Sequence, residues 1–195
     1  MRKPFLFAYA LAAVLGAWSL INQNYEFLIY AVIALVLVVL IDLGDRKFSF
    51  SPAVLWGFNL WLLLHILGGL LPVGDSVLYS WVLIDIVGEP YSILKYDQVV
   101  HTYCYFIIAL LLWRVVAAAR LDASRWLLVP FTVLAASGVG GINEIVEFAA
   151  TVMVPDTNVG GYENTAIDLV ANFLGACLAI PFFKSDGDAA SEKAE

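Results

Sequence analysis

The chain has 195 residues, 62% of them hydrophobic and only 14% charged, with a formal net charge of −7. Soluble domains carry about 25% charged residues, so a soluble fold is excluded and lipid must solvate much of the surface. The negative balance argues against nucleic acid as a partner and leaves membrane lipids as the expected surroundings.

A membrane-spanning helix takes about 20 mostly apolar residues, with latitude for tilt. Six segments qualify: 5–21, 26–43, 52–72, 96–119, 126–154 and 163–183. The first follows Arg2 and Lys3 and so resembles a secretory signal. Its apolar run is long for a signal core, and it reads as a retained span. The breaks between segments are polar or turn-forming: INQN at 21–24, GDRKFSFSP at 44–52, LDASR at 121–125 and PDTNVGGYEN at 155–164. The expected fold is all-α, a polytopic bundle of six transmembrane helices forming a single domain over 1–184. A disordered acidic cytoplasmic tail is expected over 185–195.

Orientation follows from the basic residues. Arg2, Lys3, Arg46, Lys47, Arg120, Arg125, Lys184 and Lys193 share one side when the N-terminus is cytoplasmic, and Arg114 can snorkel to it. Only Lys95 is left outside. A bacterial inner-membrane protein with both termini in the cytoplasm is the implied arrangement.

The outer connection 73–95 is too apolar for a solvated loop. Leu78, Trp81, Val82 and Asp85 fall at helical spacing, which predicts a short interfacial helix ended by Gly88-Glu89-Pro90. The tyrosines at 91, 96, 103 and 105 read as an interfacial aromatic belt. Cys104 and Cys177 lie at different depths, which argues against a disulfide.

The ionisable residues of the later spans sort by depth. Asp97 and His101 are i and i+4 near the outer end of span four. At ~1.5 Å rise per residue, Glu144 and Glu147 on span five lie roughly 12–16 Å below its outer end, and Asp168 and His65 lie about 10 Å below theirs. Asn164, Asp168 and Asn172 form an i, i+4, i+8 stripe on span six. The corresponding inner half holds no acid except Asp42, next to its interface. AASGVGG at 135–141 and Gly175-Ala176 supply small-residue surfaces for close helix approach.

Four carboxylates and an imidazole cannot all stay ionised together in low dielectric unless protons or a cation compensate. A divalent metal does so directly. Oxygen-rich ligands with one or two imidazoles suit Zn, Mn or Fe, and with few imidazoles Mg or Ca. Asp97, His101, Glu144, Glu147 and Asp168 are the candidate ligands. Asn164 and Asn172 stand behind them as hydrogen-bond partners, and His65 is a further candidate. Glu144 or Glu147 is the candidate general base. The competing reading makes the same residues interhelical hydrogen-bonding groups that serve packing alone.

Three blocks carry a family resemblance: YDxxxH at 96–101, GGINEIVEF at 140–148 and GYENTAIDLVANFLGA at 161–176. By these the chain resembles the YjdF-type bacterial inner-membrane family. More distantly, Asp97, His101, Glu144 or Glu147, Asp168, Asn172 and Gly175 make it similar to VanZ-like proteins, associated with glycopeptide resistance at the cell envelope. The basic residue that VanZ-like proteins usually place before their Asp is absent.

Three functions stand open at this point. One is a metal-dependent hydrolase or transferase acting from the outer leaflet on a lipid or lipid-linked head group. The second is an ion-coupled transporter, which would draw on a homo-oligomer for what one chain lacks. The third is a non-catalytic envelope or lipid-binding protein.

Overall fold

A computed structural model describes residues 2–119, 122–154 and 160–183. Arg120, the break at 155–159 and the tail expected over 185–195 lie outside the described residues.

Six helices long and apolar enough to cross a membrane carry the chain. They are α1 Lys3–Ile21, α2 Tyr25–Phe48, α3 Pro52–Leu70, α4 Tyr96–Ala118, α5 Arg125–Met153 and α6 Tyr162–Leu178. Local chemistry sets the boundaries. Asn24 caps α2 by accepting the Phe27 N–H through its side chain, and Ser51 caps α3 by accepting from Val54. Proline in the first turn of α1 and α3 occupies the place where its missing N–H costs nothing. α4 packs against α3, α5, α6 and α2, while α1 packs on α2 and α3. The buried apolar core runs along α4 through Val100, Cys104, Ile107, Ile108 and Leu111.

Hydrogen bonds fix which helix ends meet. At one end Arg2 donates from Nη1 to Asp45 Oδ1 (2.6 Å) and to the Phe50 carbonyl (3.0 Å), and Asp45 also accepts the Phe50 N–H at 2.9 Å. At the same end Arg114 donates to the Phe48 carbonyl (2.9 Å) and Arg125 to that of Phe183 (2.8 Å). Asp42 accepts there from Arg46 at 3.1 Å and from Tyr9 at 3.3 Å. Among the described residues, every arginine and lysine except Lys95 belongs to this basic end. The opposite end holds the starts of α2, α4 and α6 and the ends of α3 and α5.

The connection between α3 and α4 differs from the expected helix. Two antiparallel hairpins form instead, β1 Pro72–Val73 with β2 Ser76–Val77, and β3 Val82–Val87 with β4 Ile93–Lys95. Helical hydrogen bonding is limited to one 3₁₀ turn, Leu78–Ser80. The run VLIDIV is rich in β-branched residues, and β4 gives it a partner to pair with, which outweighs the apparent helical spacing. Trp81, Ile84, Ile86 and Tyr91 remain exposed on this connection.

The aromatic belt also needs correction. Tyr96 donates to the Leu64 carbonyl (3.0 Å) and Tyr103 to that of Gly57 (3.2 Å), so both tie α4 to α3. Tyr105 is buried; of the four, only Tyr91 is exposed. Both cysteines are free thiols.

Candidate functional site

Two backbone approaches set the site. A Cβ on Gly175 would fall onto the Thr102 carbonyl oxygen, so α6 seats main chain against main chain on α4. A Cβ on Gly140 would lie 2.7 Å from Asn172 Nδ2, so α5 closes on α6 at the same level. Of the small residues on α5, Gly140 makes the contact and Ala136 is fully buried. Gly138 and Gly141 have open space where a Cβ would stand.

With the helices this close, the expected polar residues meet around one imidazole. His101 Nδ1 lies 2.9 Å from Asn172 Oδ1, and Asn172 Nδ2 donates to Glu144 Oε1 at 3.4 Å. A carboxylate only accepts, so the amide nitrogen of Asn172 belongs on the Glu144 side and its oxygen accepts from His101 Nδ1–H. That assignment satisfies Nδ1 and leaves Nε2 to the groups on the other side of the ring. Nε2 faces Asp97 Oδ1 at 3.5 Å and Glu147 Oε1 at 3.9 Å. Glu144 Oε1 approaches the other side of the ring, 3.7 Å from Nδ1.

The outer carboxylates have their own supports. Asn164 donates to Asp168 Oδ2 at 2.5 Å and to Asp97 Oδ2 at 3.3 Å, joining α6 to α4. Asn143 donates to Glu147 Oε1 at 2.7 Å along α5. Asp168 and Asn172 are fully buried, and Glu144 is 6% exposed. Yet Asp168 Oδ1 and Glu144 Oε2 find no hydrogen-bond partner among the described residues. Buried acceptors without donors are costly.

Two overlapping triads, Asp97–His101–Asp168 and His101–Glu144–Glu147, each bring one donor atom per residue within 4.8 Å of the others. Four carboxylates here face a single imidazole. The expected ligand set thus comes together, with Glu144 on the Nδ1 side and Glu147 on the Nε2 side.

Next to His101 opens a cavity of about 50 Å³, into which Asp97, His101, Glu147 and Asn164 project from α4, α5 and α6. On that measure a water needs roughly 10–15 Å³, so the space admits small polar groups. His65 lines the cavity but stands apart from both triads. Its Nδ1 contacts the Tyr79 hydroxyl, which also donates to the His65 carbonyl at 2.9 Å. Burial pushes the Tyr79 phenol well above its ordinary range, keeping the hydroxyl available as a donor. The Trp61 ring stacks on His65 with centroids 5.5 Å apart.

Sequence reasoning missed Glu26, Tyr30 and Asn143. Glu26 is buried in the first turn of α2 and lines the cavity together with Tyr30. The available signal was its position, two residues past the INQN break at the same end of the bundle. Asn143 could have been found from its place four residues before Glu147.

A family model described as "Predicted membrane protein (DUF2238)" matches residues 4–185. This bears out the YjdF-type resemblance and does not bear on the VanZ-like one. No curated protein and no solved structure matches the chain.

Proposed function

Because the chain belongs to this family of predicted membrane proteins over nearly all its length, we propose its activity from the site: a metal-dependent membrane enzyme acting on a head group. Asp97 and Asp168 would hold a divalent cation together with His101, while Glu147 faces the same ring nitrogen. One observation carries this. Asn172 holds His101 Nδ1, which turns Nε2 toward two carboxylates on the wall of a cavity. Histidine ligands are commonly oriented through their second nitrogen in this way.

The donor set suits the group. It has mixed oxygen and imidazole donors, excess negative charge and two buried oxygens without partners. A bound divalent metal supplies Lewis acidity toward a phosphoryl or carbonyl oxygen and lowers the pKa of water. Glu147, steadied by Asn143 and facing the cavity, takes the proton of the attacking hydroxyl or water. Glu144, behind the ring, balances charge on the Nδ1 side. The reaction class is hydrolysis or group transfer at the polar part of a lipid or lipid-linked molecule.

Purified protein should carry about one divalent metal per chain, and His101→Ala and Glu147→Gln should each lose it. Elemental analysis reads this directly. Well-folded wild type without metal would remove the mechanism. It would favour the second reading, in which the Asn172–His101 and Asn164–Asp97 bonds serve helix packing in a non-catalytic lipid-binding protein.

The basic end argues for its own placement in the cytoplasm, which puts the cavity at the outer leaflet of a bacterial inner membrane. A fluorescent protein fused after Glu195 should then fluoresce in cells, and alkaline phosphatase fused there should be inactive. The opposite result would place the cavity on the cytoplasmic face.

A further inference from the structure

The cavity has two unlike ends. Asp97, His101 and Glu147 form one, and α2 and α3 form the other. There α2 contributes Glu26, Phe27 and Tyr30 to the lining, α3 contributes Trp61 and His65, and the turn Leu78–Ser80 contributes Tyr79. Phe27 and Tyr30 meet edge to face with centroids 5.5 Å apart, and Tyr30 and His65 make a second T-shaped pair at 5.9 Å. Trp61 and Tyr79 flank the same imidazole at 5.5 and 5.8 Å. Neither lysine nor arginine lines the cavity among the described residues, and all three of its acidic lining residues, Glu26, Asp97 and Glu147, would repel an anion.

We propose that this second end binds an ammonium group, and that the ligand class is an ammonium-bearing phosphate head group. The chemistry is complementary. Aromatic walls attract a primary or quaternary ammonium through their ring faces, and a buried carboxylate supplies the counter-charge. The phosphate half rests on the metal reading above, since only a bound cation makes the His101 end attractive to an anion.

The test titrates detergent-solubilised, metal-analysed protein with three short-chain lipids of identical tails, carrying phosphoethanolamine, phosphocholine or phosphoglycerol heads. At least one ammonium lipid should bind tenfold or more tighter than the glycerol lipid. Glu26→Gln and, separately, Trp61→Leu should erase that preference while metal content stays at wild-type level. Soluble phosphoethanolamine forms a further arm. Binding as tight as the lipid's marks a free small molecule as the source, and markedly weaker binding marks a membrane lipid. Either keeps the ammonium class. Equal or tighter binding of the glycerol lipid overturns the proposal even where metal is present. Metal-free protein that still prefers an ammonium lipid keeps the ammonium site and sinks the metal enzyme, so the two failures are distinguishable.

Discussion

Gly175→Ala should lower the melting temperature sharply and empty the proposed metal site with a single methyl group. The added carbon would overlap the Thr102 carbonyl oxygen and come within 3.1 Å of the Phe106 amide nitrogen. Both are main-chain atoms, so no rotamer change relieves the clash and the helices must separate. Overpacking of this kind costs about 1–3 kcal/mol, occasionally more. Separation also spoils the site, because Thr102 follows His101 directly and Asn172 lies on the same face of α6 one turn before Gly175. The 2.9 Å contact between His101 and Asn172 cannot survive a moved seam. Gly141→Ala is the control. It has open space for its methyl, and alanine is the better helix former by about 1 kcal/mol. Scanning fluorimetry in detergent with metal analysis of both variants reads the contrast. If Gly175→Ala melts with wild type and keeps its metal, close seating of α6 on α4 does not set the site.

Asn172→Ala should have the second large effect, on metal retention more than on folding. Asn172 is fully buried and touches two partners, His101 Nδ1 and Glu144 Oε1. Truncation leaves an imidazole N–H and a carboxylate oxygen without that partner, at a cost on the order of 1–3 kcal/mol in stability. The ring then loses the contact that turns Nε2 toward Asp97 and Glu147. Loss of such an orienting partner typically weakens metal binding by about 10–100-fold. Competition against a graded series of chelators measures the shift. Asn164→Ala should shift it less, since Asn164 contacts the carboxylates and leaves His101 in place. An Asn172→Ala protein that resists chelation like wild type would mean that something else orients His101.

Periodicity was enough to bring Asp97 and His101 to one face of α4, and Asn164, Asp168 and Asn172 to one face of α6. The mostly apolar runs and their turn-forming breaks placed all six helices within about five residues of their observed ends. Depth could be counted along each helix, and it grouped the acids correctly. Azimuth between helices could not be counted. Whether Glu144 or Glu147 faces the cavity depends on how α5 is rotated against α6, which Gly140 and Asn172 decide through tertiary contact. Glu26 escaped notice because a charged residue in a first turn is ordinary in a chain viewed one helix at a time. The 73–95 connection misled for a different reason. Its helical spacing and its β-branched content pointed in opposite directions, and only the presence of β4 alongside decides between them.

The clasp of Arg2 on Asp45 and the Phe50 carbonyl also bears on how the molecule is made. Its two halves are 43 and 48 positions apart in the chain, so it cannot close until the ribosome has delivered the turn between the second and third helices. The pairing of the first two helices at this end is therefore completed only by residues that follow the second helix.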